Sequence, residues 1–502
     1  MDTKSFWMDS VELPTFPALQ ADLHVDVLVV GGGITGITAA FLLKKAGRSV
    51  ALIERHRLAL HDTGHTTAHV TYVTDTRLSE LVEKFGRDHA KAVWDAGCAS
   101  IEQIESIVLQ EDIRCEWTRV PGHLHTPLDS APSTAEIASL REDADLAAHM
   151  GFDAAFTAAV PVLQKPGIRF ANQGKLHPRK YLAALAQRIP GEGCHVFEET
   201  EATEFHDSPL GATANGRTIT CNFIVLATHV PLQGNRNAIS AALLQTKLAL
   251  YSTYVIGARL PRNTTPQALW WDTADPYHYL RVDRRGEGEY AIFGGADHKT
   301  GQETDTEACF RQLEKKLRAV LPQAEVEHRW SGQVIETADG LPYIGAAGDG
   351  QFISTGYAGN GMTFGTLGAV MARDAVLGVR NPWCDLFSPE RKTLSSAWDY
   401  LLENKDYPFY LVRDRLARAE AASLDELKAG EGKIVRIDGK KVAAHRDESG
   451  IVVKLSPVCT HMGCIVHWND SQKTWDCPCH GSRFSPTGEV LGGPAEVPLA
   501  PA

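Results

Sequence analysis

Val25-Asp26-Val27-Leu28-Val29-Val30-Gly31-Gly32-Gly33-Ile34-Thr35-Gly36 is the stretch that decides the fold. Its first six residues are apolar except for Asp26, the pattern of a strand buried on both faces in a parallel sheet. Gly31, Gly33 and Gly36 then complete G-x-G-x-x-G. The first glycine allows a tight turn, the second a close approach to a pyrophosphate, and the third lets the following helix pack near the strand. The backbone N–H groups around Ile34 and Thr35, at the start of that helix, would face the anion. Thr35–Ala46 reads as a helix closed by Gly47, and Ser49–Glu54 as a second strand, which completes a β-α-β unit. Glu54 ends that strand 18 residues after Gly36, where an acid can hydrogen-bond ribose hydroxyls, and Arg55 follows it as a further cofactor-binding candidate. A plain glycine turn would need none of this context. The expectation is a dinucleotide site.

Outward from this unit, residues 1–23 read as an extended arm in which Pro14 and Pro17 block a helix. Residues 79–150 are mostly helical in pattern, with Leu81, Phe85, Ile101, Ile104 and Val108 at helical spacing. Phe223–Ala227 is another buried-strand candidate, whereas Leu248–Leu260 and Tyr277–Val282 alternate as half-exposed strands. Gln351–Tyr357 returns to a strand, followed by glycines and a helix over Thr366–Leu377. Pro382 and Pro389 mark a boundary, and Ser395–Ala422 reads as a charged helical linker interrupted at Pro408. From Leu424 onward, short strands with turns at Asp438-Gly439 and Ser449-Gly450 give an all-β signature.

The 502 residues suit about three domains. Apolar residues at 43% and charged residues at 22% exclude a disordered chain. Fifty Lys and Arg against 62 Asp and Glu give a net charge of −12, which argues against a nucleic-acid partner. No run approaches the apolar length of a membrane span, and the N-terminus has no basic segment followed by an apolar one. The expected location is therefore the cytoplasm. Ten cysteines are too few for a secreted disulfide scaffold, but Cys459, Cys464, Cys477 and Cys479 crowd together near the C-terminus.

Several further motifs give residues 24–380 a resemblance to the D-amino-acid oxidase and glycine oxidase superfamily of FAD-dependent oxidoreductases. Gly64-His65-Thr66-Thr67-Ala68 sits where that family's loop runs along the FAD, and Leu176–Leu182 matches the start of its mid-chain helix. Val225-Leu226-Ala227-Thr228 matches the strand end beneath the cofactor. Asp339-Gly340-Leu341-Pro342-Tyr343-Ile344-Gly345 and Gly356-Tyr357-Ala358-Gly359-Asn360-Gly361-Met362 match the motifs that flank the flavin ring. The resemblance implies FAD contacts at Thr66, Thr67, Ala68, Thr228, Gly340, Gly356, Gly359, Asn360, Gly361 and Met362. It also implies that the last helix points its N-terminus at the pyrimidine end, where a positive helix end favours an anionic reduced flavin. Gly359-x-Gly361 is not followed by an acid at a second strand end, which argues against a separate NAD(P)H site.

The chain departs from that family at Trp330-Ser331-Gly332-Gln333-Val334, where Val334 stands in place of the arginine that holds a substrate carboxylate. A branched apolar side chain cannot form that bidentate pair. Replacement candidates are Tyr277, Tyr279 and Arg281, which period-two alternation puts on one strand face, and His65 beside the FAD loop. All four also have ordinary packing roles open to them.

Cys459-Thr460-His461 and Cys477-Pro478-Cys479-His480 are paired boxes, each supplying one cysteine and one histidine. Zinc accepts such a set. One thiolate and one imidazole per box also suits a [2Fe–2S] cluster with two thiolates on one iron and two imidazoles on the other. Residues 424–502, including Gly492-Gly493-Pro494-Ala495, resemble Rieske [2Fe–2S] domains. The resemblance implies that Cys459, His461, Cys477 and His480 are the ligands. It also implies a disulfide between Cys464 and Cys479, and a Ser482 that hydrogen-bonds a cluster sulfur. Phe484 replaces the tyrosine that the respiratory members of that family carry. The other six cysteines are scattered and read as reduced.

The expected architecture is an α/β FAD-binding (Rossmann-like) domain, an interleaved α+β substrate domain and a small all-β Rieske domain. The expected boundaries are 1–90, 165–247 and 331–382 for the FAD-binding domain and 91–164 and 248–330 for the substrate domain. A helical linker over 383–423 leads to the Rieske domain at 424–502. The expected function is oxidation of a small amine-like substrate, with electrons passed singly through the cluster to an external acceptor, a carrier protein or a quinone. Two alternatives stay open: a reductase whose electrons enter through the cluster, and a redox sensor without turnover.

Overall fold

The computed structural model describes residues 4–231, 245, 247–391, 410, 413–415, 417, 419–421 and 423–502. Leu23–Val30 forms the centre of an eight-stranded sheet, parallel to Val50–Ile53 on one side and to Arg217–Leu226 on the other. Gln351–Thr355 extends the parallel set beyond Arg217–Leu226, and His195–Phe197 extends it beyond Val50–Ile53. The apolar run is explained by cover on both faces. Val27 and Val29 join the core of the helix layer, whereas Val25, Leu28 and Val30 join a second core with Ile219 and Ile224. The helix Ile34–Lys45 follows the glycines as expected, with Ala46 as C-cap and Gly47 in the left-handed region at φ +77°.

A nine-stranded sheet carries Glu325–Thr337, Leu248–Leu260, Gly288–Lys299, Tyr279–Arg285, Leu269–Asp272, Thr118–His125, Gly167–Lys175 and His69–Val70 in that order, with Ala154–Thr157 paired to Gly167–Lys175. The amphipathic helix Thr306–Val320 covers one face through Phe310, Leu313 and Leu317, packed on Tyr254 and Ile256. Three expectations change here. Within 79–150 the chain is helical at Arg87–Gln110 and Thr134–His149, but Thr118–His125 between them is a strand. Gly167–Lys175 belongs to this second sheet, so the expected boundary at 165 falls before that strand rather than after it. Tyr277 precedes the strand Tyr279–Arg285 instead of starting it.

The N-terminal arm is only partly extended. Phe6–Ser10 is a short helix capped by Ser5, placed ahead of the prolines that would stop it. Its Trp7 is fully buried and donates to Thr66 O at 2.6 Å, so the arm braces the Gly64–Ala68 segment. The C-terminal region is all-β. It has a three-stranded sheet over Glu431–Leu455 and a four-stranded sheet over His467–Gly492, closed on a core that includes Trp475 and Phe484. Residues 392–409 of the expected linker lie outside the described residues. Among the described residues, no helix is long and apolar enough to cross a membrane.

Candidate active site

The G-x-G-x-x-G turn opens onto a cavity of about 350 Å³. Gly31 has φ +108°, and a Cβ there would fall 2.4 Å from Ala227 O. A Cβ on Gly36 would fall 1.8 Å from Gly31 O, so the turn and the helix can only come this close as glycines. Glu54 accepts from Gly32 N at 2.7 Å and His56 N at 2.9 Å, which fixes the acid at the mouth of the turn. Gly31, Gly33, Ile34, Thr35, Glu54, Arg55 and Thr228 all line this cavity. A second cavity of about 170 Å³ shares Ile34, Asp62, Thr63, His229 and Tyr357 with the first. Thr66, Thr67, Gly359, Asn360, Gly361 and Met362 line it, the last two opening the helix Gly361–Val376. That helix begins earlier than the expected Thr366.

Four expected cofactor residues lie outside these walls. Gly36 packs on Gly31, and Ala68 is fully buried behind the loop. Gly340 turns at φ +81° against Thr76, and Gly356 packs against Thr337. The Asp339 motif supports the site from behind. Buried Asp339 accepts from Leu341 N and holds Arg391 through Nε and Nη2, both at 2.7 Å.

Tyr277, Tyr279 and His65 line the second cavity, and Arg281 does not. Alternation does put Arg281 on the same face as Tyr279, but two residues along a strand is roughly 7 Å, which carries it past the cavity. There it is 1% exposed, paired with Asp283 at 3.0 Å, and donates to Ala68 O and Leu176 O. Lys175 meets the same Asp283 at 2.6 Å. Arg281 therefore clamps the loop from outside, and its expected place in the cavity is corrected. His65 Nδ1 lies 2.8 Å from His61 O, and burial holds its imidazole below the usual histidine range.

The walls also carry residues that the motifs did not reveal: Asp75, Asp297, Trp271, His69 and Gln333. The Tyr277 hydroxyl lies 3.0 Å from Asp75 Oδ2, and the Tyr279 hydroxyl 2.5 Å from Thr253 Oγ1. Only a three-dimensional neighbourhood marks these acids: Asp75 lies in the loop after His69–Val70 and Asp297 within the strand Gly288–Lys299, neither in a motif. Gln333 had a signal in its place beside Val334.

At the C-terminal domain, Cys459 and Cys477 are both buried. The His461 and His480 rings lie 5.0 Å apart at 87°. His461 Nδ1 is buried without a hydrogen-bond partner, as a free metal-ligating nitrogen would be. Cys464 and Cys479 form the expected disulfide, which ties together the two loops carrying these residues. Two thiols and two imidazoles at one end of the domain fit a Rieske cluster.

That end faces the cavities. Leu491, Gly492, Gly493 and Ala495 form part of the first cavity's wall, and Arg55 reaches Leu491 O at 3.0 Å. Gln333 Nε2 donates to Gly481 O at 2.9 Å, next to His480, while its residue lines the second cavity. Gln302 donates to Pro478 O at 3.0 Å, and His467 Nδ1 meets Gly301 O at 2.9 Å.

Residues 26–374 match the family model described as FAD dependent oxidoreductase, and residues 418–501 match the Rieske [2Fe-2S] domain. The chain belongs to the FAD-dependent oxidoreductase family. This family member, an oxidoreductase with a C-terminal Rieske domain, has FAD and a [2Fe–2S] cluster as its cofactors. It is 32% identical over 99% of its length, and 97% of the other chain, to YhfW of Bacillus subtilis (strain 168), described as a Rieske 2Fe-2S iron-sulfur protein. It is 22% identical to gamma-glutamylputrescine oxidoreductase of Escherichia coli (strain K12), over 72% of this chain and 86% of that one. Glycine oxidase from Geobacillus kaustophilus shares the fold, with a TM-score of 0.61 at 18% identity, covering 74% of this chain and 99% of that one.

Proposed function

We propose that this oxidoreductase oxidises a small amine-like substrate in the second cavity and delivers the electrons singly, through its iron–sulfur domain, to an external acceptor such as a carrier protein or a quinone. The observation that carries the reading is the shared wall: the loop Leu491–Ala495 of the C-terminal domain closes the cavity opened by the glycine turn. When bound, FAD supplies two-electron chemistry at carbon and the cluster one-electron transfer. In this reading the N–H groups after Gly33 receive the pyrophosphate, Glu54 and Arg55 the ribose, and Thr66, Thr67 and Thr228 border the remaining length. The helix start at Asn360, Gly361 and Met362, which lines the second cavity, would border the ring. Cys459, Cys477, His461 and His480 would hold the cluster. Tyr277 and Tyr279 line the substrate end, and His65, kept neutral by burial, is a neutral wall there.

Gamma-glutamylputrescine oxidoreductase, by its name, acts on a substrate that carries amine groups, which favours an amine here as well. The test is anaerobic mixing of the holoenzyme with a panel of amines. Bleaching of the flavin followed by the reduced-cluster electron paramagnetic resonance (EPR) signal is expected. Flavin bleaching only when a reduced carrier is supplied would reverse the direction. Absence of turnover with every donor and acceptor would overturn the reading.

A further inference from the structure

We infer that the substrate end of the second cavity is a cation cage, built for a small alkylammonium ion that needs no carboxylate. The inference rests on the proposed function and names the substrate's charge. Three carboxylates, Asp62, Asp75 and Asp297, line the cavity, and no lysine or arginine does among the described residues. The two positions from which a cation was expected are both spent: Val334 is apolar, and Arg281 is turned outward to Asp283. Asp297 Oδ1 is buried without a hydrogen-bond partner. Asp75 opens onto the cavity and has the Tyr277 hydroxyl as its hydrogen-bond partner.

Space for Asp75 depends on a glycine. Gly359 has φ +79°, and a Cβ there would fall 2.4 Å from Asp75 Oδ2. Any larger residue, cationic or not, would displace the acid. Aromatic side chains complete the cage, with Trp271 in the wall and the Tyr277 and Tyr279 ring centroids 5.6 Å apart. Carboxylates with adjacent aromatic faces attract alkylammonium ions by Coulomb and cation–π terms, both stronger when desolvated. An α-amino acid would bring a carboxylate into a space already lined by three. Desolvation pushes Asp297, whose Oδ1 is buried, up to about 7, the mark of a carboxylate that the protein leaves without a countercharge.

The test is a titration of the holoenzyme, without turnover, with tetramethylammonium chloride, sodium acetate and sodium chloride at equal ionic strength. Binding is read by calorimetry and by perturbation of the visible flavin spectrum. Tetramethylammonium is expected to bind and acetate not. Asp297→Asn should weaken the cation by at least about tenfold with flavin content unchanged. Trp271→Leu should weaken it also, and serves alone if Asp297→Asn does not fold. Acetate binding more tightly than tetramethylammonium, or cation affinity unchanged in both variants, would overturn the cage. Flavin bleaching by an amine would in that event leave the proposed function standing. Cation binding without bleaching by any amine would fail the proposed function and keep the cage.

Discussion

Phe484 is fully buried in the C-terminal core, two residues after Ser482, whose hydroxyl accepts from Ala495 N at 3.1 Å. A phenyl ring there donates nothing to the cluster ligands. Phe484→Tyr is expected to raise the cluster's midpoint potential, by roughly 40 mV for one net hydrogen bond of about 1 kcal/mol. Redox titration followed by EPR checks the shift. A second residue-scale expectation concerns pH. Asp297 sits near 7 because desolvation raises it, with Glu336 and Asp275 adding like charge, and the exposed Asp75 shares the cavity wall with it. Facing them, burial keeps His65 low and takes His69 down to about 3, so both stay neutral. Asp62 is held low by His229 and His61 although desolvation opposes it. The acids attract a cation only when deprotonated, so cation affinity rises with pH through about 7. Between about pH 6 and pH 8, tetramethylammonium affinity should grow about tenfold, measured by the same titration.

At the scale of elements, periodicity and glycine chemistry carried much of the fold. The run Val25–Val30 could be placed because a strand covered on both faces must be apolar throughout, and the glycines because their turn has no room for a Cβ. Gly31→Ala would force φ +108° on a residue with a Cβ and drive it against Ala227 O. It should cost about 1–3 kcal/mol in stability and lower the bound FAD, read by thermal melts and flavin content. Alternation was less informative on Tyr279–Arg285. It assigned the face correctly, but not which residues along that face meet the cavity, since the loop Thr67–Ala68 ends the cavity before Arg281. The strand Thr118–His125 was hidden in a region of helical spacing because its inward side is set by sheet neighbours rather than by its own pattern.

At the scale of the whole molecule, the two cofactor modules share a boundary. Gln333 spans it, lining the second cavity and donating to Gly481 O and to Thr300 Oγ1. Gln333→Leu keeps the volume and removes both bonds. It should leave substrate reduction of the flavin intact and slow the later appearance of the reduced-cluster signal by about tenfold, a barrier increase of about 1.4 kcal/mol. Stopped-flow absorbance with freeze-quench EPR separates the two phases. Equal rates for variant and parent would show that Gln333 is a packing contact only.

The dinucleotide turn and the cysteine–histidine boxes were legible in the chain itself, because each depends on residues a few positions apart whose chemistry tolerates little replacement. The disulfide was legible through family resemblance. The acids of the second cavity, the outward turn of Arg281 and the docking of Leu491–Ala495 over the glycine turn were decided only by tertiary structure. Each joins segments separated by tens to hundreds of residues, where a side chain's role depends on which neighbours folding brings to it.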